Sequence, residues 1–70
     1  MNDYVVIYEQ SGDGSWGAYL PDLPGVVALG TTRQEVAARI EEAVSAYVDE
    51  RGRLGEELPA PIHTSGTVTI

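Results

Sequence analysis

The sequence predicts an α+β domain in which an antiparallel β-sheet of β-β-β-α-β order carries one helix on one face. Three short apolar runs separated by turn-forming residues indicate strands, and one run with apolar residues at intervals of three and four indicates a helix. Seventy residues suffice for one small domain, which buries only about 60% of the surface that the unfolded chain exposes. No linker or repeat divides the chain, so residues 1–70 are predicted to form a single domain.

The first two strands are predicted to form a hairpin. Residues 4–9, YVVIYE, are mostly β-branched or aromatic, and the turn formers SGDGS follow at 11–15. The return strand is then WGAYL at 16–20. Both faces of the first strand are apolar, and a single helix covers only one face of a sheet. We therefore expect the second face to be open to another protein chain.

A proline-rich corner, PDLPG at 21–25, leads to the third strand. Proline restricts its own backbone and that of the preceding residue, so this corner is expected to be stiff. The run VVAL at 26–29 is short and apolar, which indicates a strand, and Gly30 ends it.

The helix is predicted to begin after Thr32. Thr32 as N-cap and Glu35 three residues later form a capping-box pattern. We expect the helix to end near Arg51, with Gly52 in the left-handed conformation that stops it. The apolar stripe facing the sheet consists of Val36, Ile40, Ala43, Val44, Tyr47 and Val48.

The remaining residues, LPAPIHTSGTVTI at 58–70, are predicted to run extended past the sheet. Their two prolines disfavour a helix. Residues 67–70, TVTI, alternate polar and apolar side chains, which predicts a half-buried fourth strand.

The charge of the chain favours a protein partner over a nucleic acid. Eleven acidic residues face four basic ones, giving a formal net charge of −7, and all four cations are arginines. Nucleic-acid binding depends on neutralising phosphates with lysine and arginine, so direct nucleic-acid binding is not expected. A basic partner would complement this charge, although solubility explains it equally well.

Other bulk features concern location and cofactors. There is no cysteine, no apolar run long enough for a membrane helix and no signal-peptide pattern at the start, so we expect a cytoplasmic protein that does not bind membranes. One histidine and no cysteine make a structural zinc site improbable, and no cofactor is expected. Without a disulfide or metal, so short a chain is expected to associate with another copy.

Three carboxylates and one histidine are candidates for chemistry. Asp22, Asp13 and Glu9 lie at turns or strand ends and would suit magnesium if they converged. Turns favour aspartate because its side chain bonds nearby amides, so a structural role is the preferred interpretation for Asp13 and Asp22. His63 is interpreted as an exposed loop residue, since no nucleophile motif accompanies it.

Several motifs follow one another along nearly the whole chain: YLPDLPG at 19–25, GTT at 30–32, Glu35, Glu42-Ala43 before Tyr47, and LPAP at 58–61. This succession resembles the N-terminal domain of HicB-type antitoxins. The resemblance implies a partial RNase H-like fold that lacks the catalytic carboxylates. It also implies a non-enzymatic protein that binds and blocks a small, basic, mRNA-cleaving toxin of the HicA type. Many members of that family carry an additional DNA-binding domain, for which these seventy residues show no pattern.

Partner contacts are predicted around the hairpin and the proline-rich corner. Aromatic side chains are enriched at interfaces and a stiff loop loses little entropy on binding. For Trp16, an interface role and a core role are equally well supported. The predicted partner-binding residues are Trp16, Tyr19, Asp22, Leu23 and Pro24.

Two other functions stay open from the sequence. The chain could be an orphan homo-oligomer with a binding or scaffolding role, or a metal-dependent nuclease that uses the carboxylates named above. All three hypotheses predict a homo-oligomer, either a dimer or a tetramer, because an uncovered apolar sheet face favours association.

Overall fold

The computed structural model describes residues 3–70, which form three strands and one helix. The strands are β1 (Ile7–Gln10), β2 (Trp16–Tyr19) and β3 (Val27–Gly30), and the helix is α1 (Arg33–Arg53). The sheet is antiparallel throughout, in the order β1-β2-β3. The predicted α+β arrangement of an antiparallel sheet with one helix is confirmed. Within residues 3–70, no helix combines the length and apolar character that crossing a lipid bilayer requires.

The register of the sheet separates two unlike faces. Tyr8 pairs with Ala18 and Ala18 with Ala28, and this row lies against the helix. The two alanines are almost completely buried, because their small side chains let α1 approach the sheet closely. The core beneath the helix is completed by Leu20, Leu23, Val26, Val36 and Ile40.

The helix begins where the capping pattern predicts. The Glu35 backbone N–H donates to the Thr32 hydroxyl at 3.1 Å, which makes Thr32 the N-cap. The Glu35 carboxylate accepts from the backbone N–H of Thr31 at 2.9 Å, one residue earlier than a standard capping box requires. The two bonds fix the turn between β3 and α1, and so fix how the helix lies on the sheet.

The helix ends at Arg53, two residues after the predicted end near Arg51, and the prediction that Gly52 stops it is wrong. Gly52 lies inside α1, and Gly55 adopts the positive φ of +71°. The Glu56 N–H donates to the Arg51 carbonyl and the Gly55 N–H to the Gly52 carbonyl, which is the Schellman pattern. Gly55 stops the helix, because its left-handed backbone conformation allows both hydrogen bonds to form.

The first strand is shorter at its start than the sequence predicts. Ile7 is the first ladder residue, and it pairs with Tyr19, the last residue of β2. Residues 4–6 lie beyond this pair because the chain after Leu20 turns into the proline-rich corner. This early end of the ladder leaves room between residues 3–6 and α1.

The prediction of a fourth strand at 67–70 is also wrong: within residues 3–70, the structure has no strand there. These residues pair with no strand, and Val68 is 87% exposed. The preceding residues of the tail contact other parts of the chain, where the Tyr4 hydroxyl donates to the Pro59 carbonyl and His63 contacts Asp22. These contacts lead the tail along the proline-rich corner instead of along an edge of the sheet.

Candidate functional site

The proline-rich corner at 21–25 is held by its own backbone and by one buried side chain. The Leu23 N–H donates to the Leu20 carbonyl and the Val26 N–H to the Leu23 carbonyl, both at 3.2 Å. Gly25 has a φ of +88°, which favours glycine over any other residue. The Leu23 side chain has no exposed area, so the corner is anchored in the core.

The carboxyl group of Asp22 is buried and joins this corner to the C-terminal tail. Its Oδ1 atom lies 2.6 Å from Nδ1 of His63, and its Oδ2 atom accepts the His63 backbone N–H at 3.1 Å. The Asp22 side chain is 4% exposed, while that of His63 is 51% exposed. Burial raises the pKa of Asp22, but the hydrogen bonds from the His63 ring and backbone lower it by more, so its pKa falls below the ordinary 3.8.

The sheet face opposite the helix is apolar and uncovered. Ile7, Tyr19 and Val27 form one row across the three strands, and Leu29 lies in the neighbouring row with Glu9 and Gly17. Val27 is 62% exposed and Leu29 is 74% exposed. We call the surface of these side chains the open sheet face; its members are Ile7, Glu9, Tyr19, Val27 and Leu29.

On the helix side, a cleft of about 470 Å³ lies between residues 3–6 and α1. Its apolar lining comes from Val6, Leu20, Ile40 and Val44, and the carboxylate of Glu41 lies at its edge. Sequence reasoning missed this cleft because it predicted that residues 4–6 continue the first strand.

A shallow groove along α1 continues from this cleft and shares Glu41 and Ser45 with it. The groove contains two further carboxylates, Glu42 and Asp49, separated by small side chains. We call the cleft and the groove together the acidic cleft; its defining residues are Val6, Val44, Glu41, Glu42 and Asp49.

The charges near the acidic cleft are unbalanced. Among residues 3–70, no arginine or histidine lies within ion-pair distance of Glu41, Glu42 or Asp49. The arginines are engaged elsewhere: Arg33 with the Tyr8 ring, Arg39 with the Leu29 carbonyl and Glu35, Arg51 with Glu56 and the Tyr47 ring, and Arg53 with Glu50.

Comparison with known proteins identifies the family. Residues 4–68 match the family described as HicB_like antitoxin of bacterial toxin-antitoxin system. The chain belongs to the HicB-like antitoxin family. This is a family of antitoxins and not of enzymes.

Individual proteins agree with this assignment. The chain is 34% identical to the UPF0150 protein Ta0767 of Thermoplasma acidophilum over 80% of its own length and 81% of that protein. It is 32% identical to the UPF0150 protein ssr1765 of Synechocystis, over 84% of its length and 72% of that protein. Among solved structures, it superimposes on the N-terminal domain of the Burkholderia pseudomallei antitoxin HicB with a TM-score of 0.70 and 26% identity. That match covers 89% of this chain and 69% of the other.

The partner residues predicted from sequence do not share one surface of this HicB-like domain. Tyr19 and Pro24 are exposed, with Tyr19 on the open sheet face. Leu23 is fully buried, and Asp22 is buried against His63, so neither side chain can contact a partner unless the corner opens. Trp16 is half-buried and packs against the core, on the same face as Ala18.

The carboxylates considered for a metal are used in separate contacts. Asp13 accepts from the Ser15 backbone N–H at 3.0 Å and from its hydroxyl at 2.7 Å, which lowers the pKa of Asp13. Asp22 is bonded to His63, and Glu9 lies on the open sheet face. Within residues 3–70, no group of three or more His, Asp or Glu side chains is arranged to hold a metal ion. His63, interpreted from sequence as an exposed loop residue, is exposed outside the helix and the strands, and its ring also contacts Asp22.

Proposed function

We propose that this HicB-like domain is the antitoxin of a type II toxin-antitoxin pair, which binds and neutralises a small, basic, HicA-like mRNA-cleaving toxin. The observation that carries the proposal is the family match, which spans residues 4–68. The net charge of −7 supports it, because an acidic protein attracts a basic, RNA-binding one over distances longer than a direct contact.

Neutralisation by this domain would be stoichiometric and not catalytic. In this proposal, the domain covers the toxin surface that receives RNA, and it does not itself bind nucleic acid. Because the toxin's substrate is mRNA, we propose that the complex forms in the cytoplasm.

The test is co-expression with a HicA-like toxin. We expect the chain to relieve the growth arrest that the toxin causes alone, and the two proteins to elute together in size-exclusion chromatography. A control is Leu23→Ala, which removes a fully buried side chain and should weaken protection by destabilising the domain. Persistent growth arrest with the wild-type chain, together with separate elution of two folded proteins, would contradict the proposal.

We further propose that the antitoxin self-associates through the open sheet face. Tyr19, Val27 and Leu29 are all substantially exposed there, and Glu9 is the one charged member of the set. A second copy carries the same negative charge, so it packs most favourably where carboxylates are fewest. Pro24 is exposed in the proline-rich corner that precedes β3. We propose that it lies at the margin of this contact.

An orphan homo-oligomer without a toxin is distinguished from this proposal by the same co-expression experiment. It would self-associate through the open sheet face and leave growth arrest by the HicA-like toxin unchanged.

A further inference from the structure

The acidic cleft differs from the rest of the described surface because it joins an apolar recess to carboxylates without ion-pair partners. Val6 and Val44 are half-buried in its lining, with the buried side chains of Leu20 and Ile40 beneath them. Its volume of about 470 Å³ is large enough to receive a side chain of a partner protein.

The negative charge of the acidic cleft favours a basic partner. Glu41, Glu42 and Asp49 lie on one stripe of α1, and residues 3–70 place no cation within ion-pair distance of them. A second copy of the chain, a nucleic acid or an anionic lipid surface would all bring further negative charge to this stripe. A basic polypeptide brings the opposite charge.

The shape of the groove also suits a polypeptide. Ala38, Ser45 and Ala46 separate the carboxylates and are exposed, so a partner's backbone can approach α1 closely. Lysine or arginine side chains on that backbone can then reach the carboxylates on either side, while an apolar neighbour enters the recess beside Val44.

We propose that the acidic cleft is the surface that receives the basic toxin, through a segment that places an apolar side chain between Val6 and Val44 and cations on Glu41, Glu42 and Asp49. This inference rests on the proposed antitoxin function and adds the contact surface. It separates toxin binding, on the helix side, from self-association, on the open sheet face. Both contacts can therefore form on one molecule.

The test compares two charge reversals that change the net charge equally. Glu41→Lys alters the acidic cleft, and Glu57→Lys alters an exposed carboxylate of the tail outside it. With a HicA-like toxin as the probe, Glu41→Lys should weaken binding about tenfold or more, and Glu57→Lys by no more than about threefold. Unchanged far-ultraviolet circular dichroism and thermal midpoints would show that both variants remain folded. Equal effects of the two reversals on affinity would overturn the inference.

A second probe keeps this test independent of the proposed function. A synthetic amphipathic peptide of lysine and leucine is titrated into the ¹⁵N-labelled wild-type chain, and shifted amide signals are mapped. We expect shifts concentrated in residues 3–6 and 38–49. If the wild-type chain captures no HicA-like protein but the peptide maps to these residues, the antitoxin proposal fails and the acidic cleft is retained as a site for basic segments. Shifts confined to the open sheet face would contradict the inference that the acidic cleft binds basic segments.

Discussion

The Nδ1 atom of His63 lies 2.6 Å from Oδ1 of Asp22, and the two residues are 41 positions apart in the sequence. The His63 backbone N–H donates to the other carboxylate oxygen at 3.1 Å, so the side chain of Asp22 receives both contacts from one tail residue. The aspartate of the proline-rich corner therefore works as the attachment point of the C-terminal tail. This engagement explains why a buried carboxylate is tolerated in a small domain.

The Asp22 contact predicts an acid-dependent loss of stability. The pKa of Asp22 is below its ordinary value of 3.8, so its ionised form stabilises the fold above that value. This contribution is lost as the pH falls through the lowered pKa, because protonation removes the charge that His63 contacts. The stability advantage of the wild type over Asp22→Asn should therefore be larger at about pH 5 than at about pH 3, and it should shrink as the pH falls below about 3.8.

Urea unfolding at a series of pH values measures this difference, with Glu57→Gln as the control on an exposed tail carboxylate. The control should follow the wild type closely at every pH. A difference for Asp22→Asn that is independent of pH down to about pH 2.5 would contradict a lowered pKa of Asp22 in the folded state.

Local features of this fold were predictable, and those that depend on distant contacts were not. The Thr32 cap follows from residues only three positions apart, and the hairpin follows from adjacent turn formers. The contact of Asp22 with His63 depends on the path of the tail across the whole domain, for which the sequence contains no periodic pattern. The same path leaves residues 67–70 without a strand to pair with, although their alternation is typical of a strand.

The residues of the acidic cleft were not among the partner-binding residues predicted from the sequence. The predicted apolar stripe of the helix leaves out Glu41, Glu42 and Asp49, and these three residues are exposed. The stripe gave no indication of the recess beside them, because that recess depends on where the β1 ladder ends. The burial of Leu23 was equally hidden, since a leucine between prolines is compatible with an exposed loop.

Leu23 is predicted to stabilise the domain far more than its neighbour Pro24. Leu23→Ala should lower the free energy of unfolding by about 2–5 kcal/mol, because it removes a side chain with no exposed area and leaves a cavity. Pro24→Ala, at an exposed position, should change it by less than about 1 kcal/mol. Urea unfolding of both variants gives the comparison. Similar values for the two would show that the corner is not anchored in the core.

Two glycines at the end of α1 should respond to alanine with opposite signs. Gly52 lies within the helix with open space around its Cα, so Gly52→Ala should stabilise the domain by about 0.5–1 kcal/mol. Gly55 has a φ of +71°, so Gly55→Ala should destabilise it by about 1–2 kcal/mol. Thermal unfolding monitored by circular dichroism measures both. Effects of the same sign would place the end of the helix elsewhere.

The open sheet face is predicted to control self-association and not folding. Leu29 is 74% exposed, so Leu29→Ser removes apolar surface that is already in contact with solvent in the single chain. If a second copy covers this face, the substitution should weaken association about tenfold or more, because burial of that side chain on assembly is lost. Sedimentation equilibrium over a range of protein concentrations measures the association constant. Leu54→Ser is the matched control, since Leu54 is 55% exposed at the end of α1, away from the sheet. A monomeric wild type, or equal weakening by both substitutions, would refute association through the sheet.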